Sequence, residues 1–132
     1  ATALRTFGRD IGVAFQLRDD QLGVFGDPEV TGKPSGDDLR EGKRTTLLAL
    51  TLDNVSESDR ETVESSLGQP LSERDVDHLR AIIKKSGAYD RVEKQIDSLV
   101  ASAVHALADA RISDDAHRAL RSMAIFSTER RR

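Results

Sequence analysis

FQLRDDQLGVFGDPEVTGKPSGDDLREGKRT, residues 15–45, joins the end of a long helical pattern to a glycine-rich segment filled with aspartate and lysine. At about 100° per residue, Gln16, Asp19, Asp20 and Gly23 fall within roughly 100° of one another on one helix face. Gly8 and Gly12 carry that face toward the N-terminus. One side of the helix over residues 1–25 is therefore nearly bare of bulk and ends in an amide and two neighbouring carboxylates. Phe7, Ile11, Ala14, Phe15, Leu22 and Phe25 supply apolar contacts at mostly helical spacing.

Two adjacent carboxylates repel, and each makes ionisation of the other harder. A hard divalent cation removes that conflict. Mg²⁺ prefers oxygen ligands, accepts one or two carboxylates and keeps positions for water and phosphate oxygens. Downstream, Gly26, Pro28, Gly32, Pro34, Gly36 and Gly42 break regular structure, so residues 26–42 read as a long loop. A loop of that length inside a compact domain is usually functional or disordered. It brings Lys33 and Lys43, with Asp27, Asp37 and Asp38 among them. Ammonium groups beside a cation suit a diphosphate leaving group, on which negative charge grows as its bond to carbon breaks. Taken singly, an Asp pair on a helix is usually a solvated face, and a glycine-rich loop with lysines is usually only a loop. The spacing matches neither a P-loop nor an EF-hand. The weight rests on the combination in fixed order.

That combination resembles the second aspartate-rich region of the trans-type isoprenyl diphosphate synthases. The pattern F-Q-x-x-D-D-x-x-x-x-x-G-D followed by G-K-x-x-G-x-D-x-x-x-G-K-x-T is met by Phe15-Gln16, Asp19-Asp20, Gly26-Asp27, Gly32-Lys33, Gly36, Asp38, Gly42-Lys43 and Thr45. The resemblance is strongest over about a third of the chain. It implies an all-α, isoprenoid-synthase-type helical bundle, of which residues 1–132 are the C-terminal half. It implies that Asp19 and Asp20 hold Mg²⁺ bound to an allylic diphosphate, that Gln16 lies in the allylic pocket, and that Lys33 and Lys43 contact the diphosphate. Asp38 would support a lysine or the water shell of the metal. Where the family has a third aspartate, this sequence has Gly23. One metal contact is then weakened, and Gly23→Asp is expected to add an oxygen ligand one turn after Asp19.

The rest of the chain reads as helices. A first runs from about Arg44 to Asp53, and a second is capped by Ser56 or Ser58 and ends before Gly68 and Pro70. A third opens on the capping pair Ser72 and Asp75, carries Val76, Leu79, Ile82 and Ile83, and stops at Gly87. A fourth places Val92, Ile96, Leu99, Val100, Ala103, Val104 and Leu107 on one stripe. The last starts at Ser113 and carries Leu120, Met123, Ala124 and Phe126. No strand-like alternation, internal repeat or low-complexity segment interrupts them, and the fold class is all-α.

Composition agrees. With 132 residues, 33% charged and 37% apolar, no tryptophan and one tyrosine, the chain is a single domain whose core must be built from aliphatic side chains. A net charge of −3 gives no global attraction to nucleic acid. The terminal run Arg130-Arg131-Arg132 is short enough to be a solvated helix end. Absence of cysteine excludes thiolate metal sites, and His78, His105 and His117 have no metal-ligand spacing. Asp37-Asp38 and Asp114-Asp115, the other Asp pairs, are structural or supporting. No apolar run reaches membrane-spanning length. Cysteine usage leaves the compartment open, and a cytoplasmic location is the expectation.

The sequence opens in mid-helix, without a capping signal, which suggests a missing upstream part. The family's first D-D-x-x-D motif and its isopentenyl diphosphate site lie upstream in its members, and neither occurs in residues 1–132. The implied substrates are isopentenyl diphosphate and an allylic diphosphate. The implied assembly is a homodimer, or a pairing with the missing N-terminal half. The 132-residue chain alone is expected to be inactive, with apolar surface left exposed. Two alternatives stand beside this reading. One is a non-catalytic partner subunit with a partial synthase fold. The other, ranked lower because no N-S-E-type string occurs, is a terpene cyclase. An upstream reading frame containing D-D-x-x-D would favour the synthase over the partner subunit.

Overall fold

The computed structural model describes residues 2–32 and 36–129, with the backbone alone at 30 and 31. Lys33 and the Arg130–Arg132 run lie outside the described residues. Among those residues every regular element is an α-helix: α1 (Thr2–Phe25), α2 (Pro28–Thr31), α3 (Asp37–Glu41), α4 (Thr46–Asp53), α5 (Glu57–Ser66), α6 (Glu73–Lys85), α7 (Ala88–Ala108) and α8 (Asp114–Thr128). The all-α class expected from the sequence is what the structure has.

The caps are local and chemically simple. Thr45, Ser56, Ser72 and Ser113 each accept a hydrogen bond from a backbone N–H of the first turn of α4, α5, α6 and α8. At α6 the exchange is reciprocal: Ser72 N donates to Asp75 Oδ2 at 3.0 Å, and Asp75 N donates to Ser72 Oγ at 3.1 Å. Gly87, at φ +86°, takes the left-handed turn between α6 and α7.

The chain divides into two compact units. Of the described residues, one unit takes 2–18 and 93–129 and the other those from 19 to 92, so α1 and α7 give residues to both. In the first unit, Phe7, Ala103, Leu107 and Ala124 form a buried cluster, with Ile11, Ala110, Ile112 and Leu120 packed against it. Asp10 is buried there and accepts a hydrogen bond from Ser102 Oγ at 2.8 Å. In the second unit the buried apolar residues include Val24 and Leu39, then Leu47, Leu48 and Val63, and the α6 stripe Val76, Leu79, Ile82 and Ile83. All four α6 residues are those the sequence pattern picked out.

Three expectations need correction. Residues 26–42 are not structureless, because α2 and α3 form within them. Pro28 sits at the first position of α2, where a missing N–H costs nothing, and Asp27 caps that helix through Glu29 N at 2.9 Å. Gly32 and Gly42 end α2 and α3 in the left-handed conformation, and Gly36, also left-handed, starts α3. The glycines and proline that read as breakers are therefore the start and stop signals of two short helices. On α8, Met123 and Phe126 are exposed, Phe126 to 79%, and only Ala124 of that expected set is fully buried. On α1, Phe7 and Ala14 are buried as expected, but Phe15 is exposed, and Leu17 and Val24, outside the expected set, are buried.

Two glycines meet back to back. A Cβ on Gly42 would come within 3.2 Å of both Cα and N of Gly68, whose own N–H donates to the Leu39 carbonyl at 3.0 Å. Both have positive φ, 70° and 76°.

Candidate functional site

The site starts at the C-terminal end of α1. Four interactions from α6 and α7 hold that end. Arg80 Nε donates to the Val24 carbonyl at 2.7 Å, satisfying one of the acceptors that a helix leaves open at its C-terminus and placing a cation where the helix dipole favours one. The buried Gln21 donates from Nε2 to the Tyr89 carbonyl at 3.1 Å. Phe25 and Tyr89 meet edge to face with centroids 4.8 Å apart. Lys84 Nζ lies 5.2 Å from the Phe25 ring centroid and 5.0 Å from that of Tyr89. No periodicity or motif announces these contacts.

On this anchored end, Asp19 is half-buried, Asp20 is buried and Gln16 is exposed. Nothing comes within 4 Å of a Cβ built on Gly8 or Gly12, so the face above the carboxylates is as bare as the sequence suggested.

α3 brings the second part of the site. Leu39 is buried, and Arg40 Nε donates to the Leu71 carbonyl at 3.0 Å, which holds the helix in place. Asp38, beside Leu39, has its carboxylate 3.8 Å from Lys43 Nζ, and its backbone carbonyl accepts from Lys43 N at 2.9 Å. The Lys43 side chain remains half exposed, at 49%. Asp38, Lys43 and Thr45 line one small cavity with Val24 and Leu39, so the loop residues converge on the end of α1. A Cβ on Gly23 would overlap Oδ2 and Cγ of Asp38 and come within 2.9 Å of Oδ1. The aspartate expected to add a ligand at position 23 thus has no room while Asp38 is where it is.

Of the expected site residues, Asp19, Asp20, Asp38 and Lys43 lie on or beside the end of α1, Gln16 lies one turn before Asp19, and Lys33 is outside the described residues. Asp37 is half-buried in the first turn of α3, and Asp114 and Asp115 are exposed in the first turn of α8. Among the described residues no three carboxylate or imidazole groups form a ready-made cage for a metal. Asp19, Asp20 and Asp38 offer hard oxygens only, and the Lys43 ammonium lies 3.8 Å from the Asp38 carboxylate. That set fits a cation such as Mg²⁺, which keeps several waters and takes further oxygens from a phosphate ligand. It does not fit a cation that needs a closed protein shell.

A polyprenyl synthetase family model matches residues 1–85. The chain belongs to that family, the trans-type isoprenyl diphosphate synthases. It is 34% identical to a geranylgeranyl diphosphate synthase of Saccharolobus solfataricus over 98% of this chain and 39% of that protein. It is 44% identical to a geranylfarnesyl diphosphate synthase of Aeropyrum pernix over 67% of this chain and 27% of that protein. In structure it is similar, with TM-score 0.94 and 47% identity, to a geranylgeranyl pyrophosphate synthase from Corynebacterium glutamicum complexed with isoprenyl diphosphate and magnesium, covering 98% of this chain and 37% of that one. The chain thus spans about two-fifths or less of the length of these relatives.

Proposed function

We propose that this chain is the C-terminal portion of an isoprenyl diphosphate synthase, which condenses isopentenyl diphosphate with an allylic diphosphate. The observation that carries the proposal is that α1 bears Asp19 and Asp20, and that Asp38, 3.8 Å from Lys43 Nζ, lies against Gly23 one turn further along the same helix. Asp19 and Asp20 are the residues that would hold Mg²⁺, which would draw charge from the diphosphate as its bond to carbon breaks. Lys43 and Lys33 hold the departing diphosphate, and Gln16 borders the allylic chain. The allylic C–O bond breaks with its electron pair going to the diphosphate. The double bond of isopentenyl diphosphate then attacks the allylic carbon, and a proton leaves to form the new double bond. Binding of isopentenyl diphosphate and the facing aspartate-rich helix are assigned to the portion of the enzyme that this chain does not span. A homodimer and a cytoplasmic location are part of the same reading; among the described residues no helix is long and apolar enough to cross a membrane.

The test uses the full-length protein with isopentenyl diphosphate and geranyl or farnesyl diphosphate. Chain elongation that needs Mg²⁺ and stops on chelation is expected, and the 132-residue chain by itself should give none. A full-length protein that instead cyclises the allylic substrate, or does nothing with it, would overturn the assignment.

A further inference from the structure

Negative charge gathers where α1 ends. The last carbonyls carry the negative end of the helix dipole, equivalent to about half an elementary charge. Asp19 and Asp20 stand less than two turns before that end, and the Asp38 carboxylate lies against Gly23. Phosphate groups are ordinarily received at the opposite, N-terminal end of a helix. The last turn of α1 holds no basic residue of its own. The missing cations come from α6. Arg80 and Lys84 are neighbours one turn apart on that helix, and both reach the end of α1. Arg80 Nε donates to the Val24 carbonyl at 2.7 Å, and its Nη1 donates to Asp77 Oδ1 at 2.8 Å. The Arg80 side chain is 18% exposed, so solvent screens its charge only in part, whereas Asp77, 70% exposed, offsets it weakly. Lys84 Nζ lies 5.2 Å from the ring centroid of Phe25, the last residue of α1.

We propose that Arg80 and Lys84 are positioning residues for the diphosphate: set against the end of α1 from α6, they offset its negative end and let the aspartate turn take up an anion together with its metal. This rests on the synthase reading given above. Neither cation need touch the diphosphate; Arg80 acts through the Val24 carbonyl and Lys84 from beside the Phe25 ring. Charge and mere support separate by sign. A cation near carboxylates disfavours a bare metal ion and favours an anion, so removing it weakens the hold on the anion without weakening the hold on the metal. A helix end that has only come loose loses both.

The test compares the full-length parent with Arg80→Gln, Arg80→Lys and Lys84→Gln. Two readouts are taken: calorimetric binding of inorganic pyrophosphate with Mg²⁺, and binding of Mn²⁺ alone followed by paramagnetic resonance. Arg80→Gln and Lys84→Gln should each weaken pyrophosphate binding about two- to fivefold, the scale of one cation at a helix C-terminus. Arg80→Lys, which keeps the charge, should recover most of that loss. Mn²⁺ alone should bind both Gln variants at least as tightly as the parent. Lys84 is exposed, so its variant tests the charge without disturbing the core. Parent-like pyrophosphate affinity in the Gln variants would overturn the proposal. So would Mn²⁺ binding that weakens in step with pyrophosphate, or an Arg80→Lys variant no better than Arg80→Gln. If the parent itself fails to bind pyrophosphate, the synthase reading falls. A Mn²⁺ affinity that rises in both Gln variants would then still support an action of the two cations on the aspartate turn, and one that does not rise would end it.

Discussion

Arg18 sets both terminal guanidinium nitrogens on the Glu93 carboxylate, at 2.5 and 3.0 Å, while its Nε donates to the Thr128 carbonyl at 2.7 Å. The arginine side chain is 3% exposed and its partner 17%. A bidentate pair fixes rotation as well as distance, so it grips α1 one residue before Asp19. Removing one partner strands a buried charge. Glu93→Ala in the full-length protein should cost about 3 kcal/mol, at the lower end for a buried pair because Glu93 keeps some solvent. Replacing both, Arg18→Met with Glu93→Leu, should cost less than Glu93→Ala. Urea unfolding of the three variants measures this, and equal losses would show that burial of the arginine charge is not what matters.

Asp19→Ala should reduce turnover far more than substrate binding. The charge that Asp19 helps to hold in place acts on a leaving group whose own charge grows only as the bond breaks. A rate loss of roughly 10²–10³ is expected for one such electrostatic element. Asp20→Ala should be milder. A Mg²⁺ titration of turnover distinguishes them, and near-parent turnover at an unchanged Mg²⁺ requirement in Asp19→Ala would remove the motif from the chemistry.

Thr45 follows Lys43 by two residues and caps α4 through Leu48 N at 3.1 Å. Thr45→Ala should cost about 1 kcal/mol, the usual value of a lost N-cap, and Thr45→Ser much less. Thermal unfolding compares the pair. Identical losses would assign the effect to the methyl group rather than the hydroxyl.

Asp75 offers a test in acid. The Ser72 backbone N–H first, and the Ser72 hydroxyl second, hold its carboxyl below the ordinary aspartate range. Its folded-state value is depressed, so the capping contribution is complete above the unfolded value of about 3.9 and is lost as pH falls through the folded one. Ser72→Ala should move the Asp75 titration, followed by carboxyl carbon shifts, upward toward the ordinary value. It should stop short of it because the backbone donor remains. An unmoved titration would falsify the hydroxyl's share.

Much of this was legible in the sequence because it is local. Ser72 with Asp75, Ser113 and Gly87 mark helix ends by chemistry that acts within four residues. The motif from Phe15 to Thr45 is a string whose order alone carries the family. Legibility fails where the decisive partner is distant or the residue type misleads. Arg18 stands in no motif, yet it is buried and hydrogen-bonded to Glu93 and Thr128, 75 and 110 residues away. Pro28 and Gly32 read as breakers because their place within a short helix depends on Asp27 capping it. Met123 and Phe126 read as core because their side-chain type outweighed the direction in which α8 turns them. Gly23 was legible as a missing carboxylate, but the Asp38 carboxylate beside it was not, because spacing along a helix says nothing about what approaches it from outside.

The back-to-back glycines carry a consequence for how this protein can vary. Gly68 is exposed in a surface turn between α5 and α6, where substitutions are usually tolerated. Its neighbour is the backbone of Gly42, immediately before Lys43; a Cβ on Gly68 would meet Gly42 Cα at an ordinary 3.8 Å, but the positive φ of Gly68 strains any other residue there. Random mutagenesis should therefore find a cold spot at Gly68 with no ligand near it. A library that varies the α5–α6 turn would retune the lysine loop without touching any residue of the site, and mutational drift in the two turns would be coupled.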